Sequence, residues 1–273
     1  MRLFIHHRTD YRFSEPQTKL VQLLRLTPHS HAAQNVIDWR IDVSCNARLR
    51  PGRDGFGNLT SMLYVDGPIE SISLTVNGEV LTEDRAGMVG GVIEPLPPSV
   101  FLQATRLTKA DIAVAALADE IAQAGGSRLE QAHRLNSRVH ESVRFDSGRR
   151  AGALAAAAAL GEGHGVAQDL AHAFIGVARA LGMPARYVAG HIFRHDRPDH
   201  LEEASHAWAE TWIEDYGWIG FDPTTDRCPC DRYVRVAVGL DYRDAAPLSG
   251  ARTGGGVEEL EVGVRVGLSQ GLG

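Results

Sequence analysis

The sequence has little or nothing of several features that mark particular classes of protein. Its 273 residues include only three cysteines, Cys45, Cys228 and Cys230, which are too few for a disulfide framework. No apolar run reaches the roughly 18 residues that a membrane-spanning helix needs, and the alanine-rich run at 153–159 is too short. The N-terminal residues meet charged side chains before any apolar stretch typical of a signal peptide. We therefore expect a cytoplasmic protein that does not contact a membrane.

Basic residues are not concentrated in any part of the chain. The net charge is −6, and no run of lysine and arginine offers a footprint for nucleic acid. Hydrophobic residues make up 44% and charged residues 23% of the sequence, as in ordinary soluble globular proteins. The length allows one large domain or two modest ones, and we expect no nucleic-acid partner.

The first part of the chain, residues 1–84, shows the pattern of a β-sandwich-like module. Hydrophobic and polar residues alternate at 20–26, 36–43, 59–65 and 69–76. Asp54-Gly55 predicts a turn, and Asn77-Gly78 predicts a tight hairpin. Glycine and proline are frequent between residues 87 and 98, so we predict a linker at 85–107.

The rest of the chain, residues 108–273, predicts helices followed by an antiparallel sheet, which is an α+β order. Thr108 is predicted to cap a first helix, Ser127 with Glu130 to form the capping box of a second, and Ala167 to lie near the start of a third. Alternating residues then predict strands at 185–192, 206–213, 218–222, 233–238 and 257–266.

Two of these strands carry a histidine and an aspartate that are candidates for catalysis. Strands 206–213 and 218–222 are predicted to form a hairpin, which brings His206 and Asp222 to the same end of neighbouring strands. A carboxylate that holds a histidine in one tautomer supplies two members of a nucleophilic triad. The start of a helix lowers the pKa of a thiol and presents free N–H groups to an oxyanion. The third predicted helix has Ala167 at that position, which offers neither a thiol nor a hydroxyl.

These segments resemble the core of the bacterial transglutaminase-like family, which has a papain-like cysteine-peptidase fold. The resemblance rests on GVAQDLAHAFIGVARALGMPARYVAG and SHAWAETWIEDYGWIGFDPTTD, where the family motifs read GVCQD, HAW and DPT. It extends to HHRTDYRFSEP near the N-terminus and to RVAVGLDYRDAAPLSGARTGGG near the C-terminus. His206 and Asp222 match the catalytic histidine and aspartate of the family, and Ala167 stands where the family has its nucleophilic cysteine. The resemblance implies a β-sandwich-like module followed by a papain-like, transglutaminase-like core.

The same resemblance implies acyl transfer on amide or peptide bonds, by hydrolysis or by transglutamination, with a peptide or protein amide as partner and no cofactor. Two hypotheses follow from Ala167. In the first, the natural protein is a cysteine-dependent enzyme and Ala167 is an inactivating replacement. In the second, Ala167 is native and the chain is a pseudoenzyme that binds peptides or proteins in the same cleft.

A metal-binding protein is a further alternative. The segment HIFRHDRPDHLEEASH concentrates imidazoles, and two cysteines follow it. The candidate ligands are His191, His195, His200 and His206, followed by Cys228 and Cys230. Their spacing matches no compact zinc site, so we expect most of these histidines at the surface. Cys228-Pro-Cys230 is either a pair of redox-active or surrogate thiols or, as we favour, a turn with two ordinary thiols.

The tryptophans of the predicted hairpin are candidates to line a substrate groove. Trp208 is the one that we predict to bind substrate, and it shares a strand face with His206. Aromatic residues at this spacing more often pack in the core, so we expect at least one of Trp208, Trp212 and Trp218 to be buried there. Asp169 and His172 are candidates to support the site from the third helix, although helix capping alone accounts for the aspartate.

Overall fold

The computed structural model describes residues 1–147, 152–196 and 204–268. The fold is α+β, as the sequence predicts. An antiparallel six-stranded sheet contains β1, β2, β3, β4, β12 and β13, an antiparallel five-stranded sheet has the order β11-β8-β9-β10-β5, and β6 pairs in parallel with β7. The strands are β1 Arg2–Thr27, β2 Gln34–Val43, β3 Arg48–Arg53, β4 Leu59–Thr82, β5 Met88–Val89, β6 Arg144–Phe145, β7 His164–Gly165, β8 Ala185–Ile192, β9 His206–Ile213, β10 Gly217–Phe221, β11 Tyr233–Gly239, β12 Leu248–Thr253 and β13 Glu258–Leu268.

The first sheet is built on two long strands, β1 and β4. Three of the shorter strands predicted from the sequence, at 20–26, 59–65 and 69–76, lie within these two. The predicted turn at Asp54-Gly55 is present, because the Asp54 carboxylate accepts from the backbone N–H of Phe56. The predicted hairpin at Asn77-Gly78 is wrong, since both residues lie inside β4 and pair with β1 and β2. A Cβ at Gly78 would lie 2.0 Å from Cε3 of Trp39, so the glycine makes room for an indole rather than for a turn.

The last two strands return to the N-terminal part of the chain. β12 pairs with residues 19–24 of β1, and β13 pairs with residues 3–13 of β1. The predicted strand at 257–266 therefore forms, but it lies in the first sheet rather than beside the core to which we assigned residues 108–273. The predicted linker also contributes structure, because β5 pairs with β10. The division of the chain into domains stays a prediction.

Five α-helices occur in the described ranges: α1 Ile112–Gln123, α2 Arg128–Ser142, α3 Ala156–Glu162, α4 Ala167–Ala180 and α5 Tyr242–Ala245. None of the helices within those ranges is long and apolar enough to cross a membrane. The capping box of α2 is present as predicted, whereas the cap of α1 is Asp111, which accepts from Val114 N–H at 3.0 Å. The predicted cap, Thr108, instead accepts a hydrogen bond from Arg179 of α4 at 2.6 Å.

The central helix α4 positions the candidate site. It begins at Ala167, as predicted, and nearly all of its residues are buried. One side packs on the five-stranded sheet, where Ala207 and Ala209 of β9 lie in the same core cluster as α4. Because side chains alternate along a strand, His206, Trp208 and the residues that share their face point away from this helix-facing core.

Candidate active site

His206 and Asp222 form the centre of the candidate site. His206 is the first residue of β9, and Asp222 directly follows β10, with which β9 pairs. The Nε2 atom of His206 lies 2.7 Å from Oδ2 of Asp222, so the predicted hydrogen bond is present. Asp222 is fully buried and His206 is 7% exposed. The hairpin therefore places a carboxylate and an imidazole in contact inside the fold.

The carboxylate of Asp222 accepts five hydrogen bonds from the described residues. Its Oδ2 accepts from His206 and from the Tyr233 hydroxyl at 2.7 Å, with a longer contact of 3.3 Å to Thr225. Its Oδ1 accepts from the N–H and the hydroxyl of Thr224. Burial favours the neutral acid, but the charge of His206 and these donors outweigh it and lower the pKa of Asp222.

This arrangement fixes the tautomer of His206. An ionised carboxylate only accepts hydrogen bonds, so Nε2 of the ring carries the proton that Asp222 receives. In the neutral ring, Nδ1 then carries the lone pair, and it has no hydrogen-bond partner among the residues that the structure describes. The ring is therefore set up to accept a proton at Nδ1 and to hold the resulting charge against Asp222.

Tyr233 is a site residue that sequence reasoning missed. It begins β11, which lies at the far edge of the sheet from β10, and its hydroxyl reaches Asp222 and Thr225. Burial and the neighbouring Asp222 carboxylate raise the pKa of Tyr233, so its hydroxyl stays protonated and donates. Only the order of the strands in the sheet brings it to the site, and no local pattern in the sequence signals that order.

Ala167 is the first residue of α4, and it is 7% exposed. The helix start is braced by Asp169, whose carboxylate accepts from Val166 N–H at 3.0 Å and from Leu154 N–H at 2.7 Å. His172 lies deeper in the helix, with Nδ1 3.0 Å from Leu154 O and Nε2 accepting from the backbone N–H of Tyr242. Burial lowers the pKa of His172 to about 4, so the ring is neutral. Asp169 and His172 thus hold the backbone of Leu154, Val166 and Tyr242 in place around α4.

Two of the three hairpin tryptophans lie in the core, in agreement with the prediction. Trp208 is 2% exposed, and its ring lies edge-on to Tyr233 at 5.5 Å and near His206 at 6.2 Å. Trp218 is also buried, and the guanidinium of Arg186 lies 3.9 Å from its ring centroid. Trp208 therefore sits beside the dyad, where it also lines a pocket.

Glu210 is a second residue whose setting the sequence did not reveal. It is fully buried between Arg186 at 2.6 Å and Arg235 at 2.7 Å, and Arg186 also pairs with Glu94. Burial raises the pKa of Glu210, but the two guanidinium groups lower it further, to about 2. The signal that could have found this network is a glutamate on a strand face that otherwise carries His206 and two tryptophans.

The proposed metal ligands do not form a cluster within the described ranges, where no group of three or more histidine, cysteine or acidic side chains could hold a metal ion. His200 lies outside those ranges. His191 is buried against His7 rather than at the surface, and burial lowers its pKa to about 3. His195 packs on Phe193.

The two cysteines near the hairpin are free thiols that are partly buried. Burial, reinforced by Asp84, raises the pKa of Cys228 to about 11, which makes it a poor nucleophile at neutral pH. Cys230 accepts a hydrogen bond from Nε of Arg232 at 3.4 Å. These contacts agree with the interpretation of the two as ordinary thiols, although residues 228–230 lie between turns at 223–226 and 231–232 rather than in one.

Comparisons with known proteins agree with this geometry. Residues 115–223 match the family model of the transglutaminase-like superfamily, and residues 3–81 match that of the bacterial transglutaminase-like N-terminal region. An uncharacterized protein of Mycobacterium leprae is 30% identical over 97% of this chain and 98% of its own length. An uncharacterized protein of Mycobacterium tuberculosis is 29% identical over 90% and 86%, respectively. The crystal structure of a proposed cysteine protease from Cytophaga hutchinsonii has the same fold, with a TM-score of 0.77 at 22% identity over 97% of this chain and 90% of that one.

Proposed function

Because this chain belongs to the transglutaminase-like superfamily, we propose that the His206–Asp222 pair is part of an acyl-transfer site for amide or peptide bonds, and that Ala167 leaves it without covalent chemistry. The observation that carries the proposal is the buried bond between Nε2 of His206 and Asp222, which leaves Nδ1 as the proton-accepting atom. As it stands, the chain binds an amide or peptide in the cleft and does not turn it over.

The proposed chemistry is acyl transfer by a thiol at position 167 that lies within reach of His206. His206 Nδ1 accepts the thiol proton, the sulfur forms a bond to the carbonyl carbon, and helix N–H groups stabilise the oxyanion. The imidazolium then gives its proton to the departing amine, leaving a thioester. Attack of water on that thioester completes hydrolysis, and attack of a second amine completes transamidation. A methyl group at 167 offers no lone pair to the carbonyl carbon, and losing a nucleophile costs on the order of 10⁶ in turnover.

The test is to introduce the thiol. In the Ala167→Cys variant, the helix start and His206 should depress the pKa of the new thiol to about 7 or below. Cys228, with a pKa of about 11, provides the internal comparison. After allowing for the lower intrinsic reactivity of more acidic thiols, iodoacetamide at pH 7 should label residue 167 about 100-fold faster than Cys228. Mass spectrometry of the labelled peptides measures both rates in one sample.

The matched control is the double variant Ala167→Cys, His206→Ala, in which labelling at 167 should slow at least tenfold, while labelling at Cys45 and Cys228 stays unchanged. A thiol at 167 that labels no faster than the native ones would refute the proposed site. Fast labelling with turnover of an ester or amide supports a cysteine enzyme scaffold. Fast labelling without turnover supports a scaffold used for binding.

A further inference from the structure

A pocket lies on the face of the five-stranded sheet that points away from α4. Trp208, Glu210, Tyr233 and Arg235 line it from the sheet, and His31 lines it from the first part of the chain. Trp208 and Tyr233 also contact His206, so the pocket shares two walls with the dyad. The mechanism proposed above does not use it.

The guanidinium of Arg235 is held rigidly at this pocket, and one of its NH₂ groups makes no hydrogen bond to the described residues. Its Nε donates to Glu210 at 2.7 Å and its Nη2 donates to the same carboxylate at 3.2 Å. Arg235 is 7% exposed, yet its Nη1 has no hydrogen-bond partner among the described residues and is not sealed off by protein. A nearly buried cation with an unused donor favours an acceptor group from a ligand.

Two further donors in the same walls are also unused. The backbone N–H of Ala33 donates to Nδ1 of His31 at 3.3 Å, so the proton of the neutral ring is on Nε2. This Nε2 is buried and has no partner in the described part of the chain. Burial, with Arg235 nearby, lowers the pKa of His31 to about 4, which keeps the ring neutral at pH 7. The indole N–H of Trp208 likewise donates to no described residue.

The buried acceptor of the pocket, Glu210, is by contrast already engaged. Both oxygens of Glu210 accept from Arg186 or Arg235, and Glu83 at the pocket wall lies 3.6 Å from Arg85. The buried wall of the pocket therefore presents donors without free acceptors to match them, whereas Glu83 is exposed and faces the positive charge of Arg85. A neutral amide has N–H donors that need acceptors from the protein. A carboxylate has acceptors only, so it needs only donors.

We propose that this pocket binds a carboxylate group, which accepts hydrogen bonds from Nη1 of Arg235 and the indole N–H of Trp208, and from Nε2 of His31 once that ring turns toward the ligand. The site does not depend on the function proposed for His206 and Asp222, because binding at Arg235 requires no chemistry at position 167. It gives the chain a preference for ligands that end in a carboxylate.

The test uses the chain as it exists and two probes of nearly equal shape, N-acetylglycine and N-acetylglycinamide. A probe of this size in a suitable site has a Kd of about 1 mM, which NMR titration measures well. The carboxylate should bind at least tenfold more tightly than the amide. Its binding should shift the indole N–H signal of Trp208 and leave that of Trp39, which donates to Leu26 O at 2.9 Å.

Matched histidine variants locate the site. His31→Ala should weaken binding of N-acetylglycine about tenfold, the value of one hydrogen bond to a charged group. His29→Ala should not weaken it, because the His29 ring contacts Gly57 O and does not line the pocket. Equal affinity for the two probes, tighter binding of inorganic phosphate, or an equal effect of the two variants would overturn the proposal. None of these outcomes bears on labelling at residue 167, so the two proposals fail separately.

Discussion

Replacing Asp222 by asparagine exchanges one acceptor oxygen of a fully buried carboxylate for an NH₂ group. If the nitrogen takes the Oδ1 position, it faces the backbone N–H of Thr224 at 2.9 Å, which cannot turn away. If it takes the Oδ2 position, it faces His206 and Tyr233, each at 2.7 Å. The tyrosine hydroxyl can rotate and accept, and His206 can move its proton from Nε2 to Nδ1. The second orientation is therefore the one that we expect.

The cost follows from the contacts that change. Five hydrogen bonds to an ionised carboxylate, four of them at 2.9 Å or less, become bonds to a neutral amide. Each such exchange loses roughly 1 kcal/mol, and relief from burying a charge returns part of it. The lowered pKa of Asp222 indicates that stabilising contacts exceed the burial penalty, so we expect a net loss of about 2 kcal/mol of unfolding free energy.

Two measurements check this expectation. Urea denaturation at pH 7 gives the loss in stability, and long-range ¹H–¹⁵N NMR identifies which ring nitrogen of His206 carries the proton. Asp119→Asn on α1 is the matched control, because that carboxylate is exposed and accepts no hydrogen bond from the described residues, so the change should alter stability by less than about 0.5 kcal/mol. If His206 kept its proton on Nε2 in Asp222→Asn, the claim that Asp222 fixes the tautomer would be wrong.

Three further substitutions test separate parts of the fold. Gly78→Ala should lower the unfolding free energy by about 1–3 kcal/mol, because the new methyl group meets Trp39. Gly55→Ala is the control and should not lower it, because nothing lies within 4 Å of a Cβ there. Equal urea midpoints for the two variants would refute the close contact. Glu210→Gln leaves two buried guanidinium groups with one less compensating charge and should cost about 3 kcal/mol, measured in the same way; a neutral result would contradict the ion network. His172 has a folded pKa of about 4, below its unfolded value, so its stabilising contribution is present above pH 6.5 and lost as the pH falls toward 4. Between pH 7 and 4.5 the parent chain should lose about 2 kcal/mol more than His172→Asn, and equal losses would refute this assignment.

The parts of the fold that could be predicted from the sequence are those set by local patterns. Alternation predicted β8 and β9 with their observed bounds, because both are short strands in which one face packs on a helix. The capping box at Ser127 and the start of α4 at Ala167 depend on a few adjacent residues. The contact between His206 and Asp222 followed from a hairpin, which is the simplest connection between neighbouring strands.

The parts that could not be predicted depend on pairings between distant residues. Gly78 looked like a turn residue because nothing near it in sequence reveals that Trp39 packs over it from another strand. Tyr233 reaches Asp222 only because β11 folds back beside β8. The return of β13 to β1 joins residues more than 240 positions apart, and no sequence pattern specifies such a partner.

Substitutions at Asp222, His206 and Ala167 are expected to differ widely in their effect on stability. Asp222 accepts buried hydrogen bonds from His206, Tyr233 and Thr224, so replacing Asp222 or His206 costs folding free energy as well as chemistry. Position 167 has no such tie, because a buried cysteine behaves as a small hydrophobic residue and differs from alanine by one sulfur atom. The unfolding free energy of Ala167→Cys should therefore lie within about 1 kcal/mol of that of the parent chain, and well above that of Asp222→Asn. Folding alone is therefore sufficient to maintain the histidine–aspartate pair in a chain that has alanine at position 167. A measurement of ligand binding to the parent chain tests whether the pair has a use.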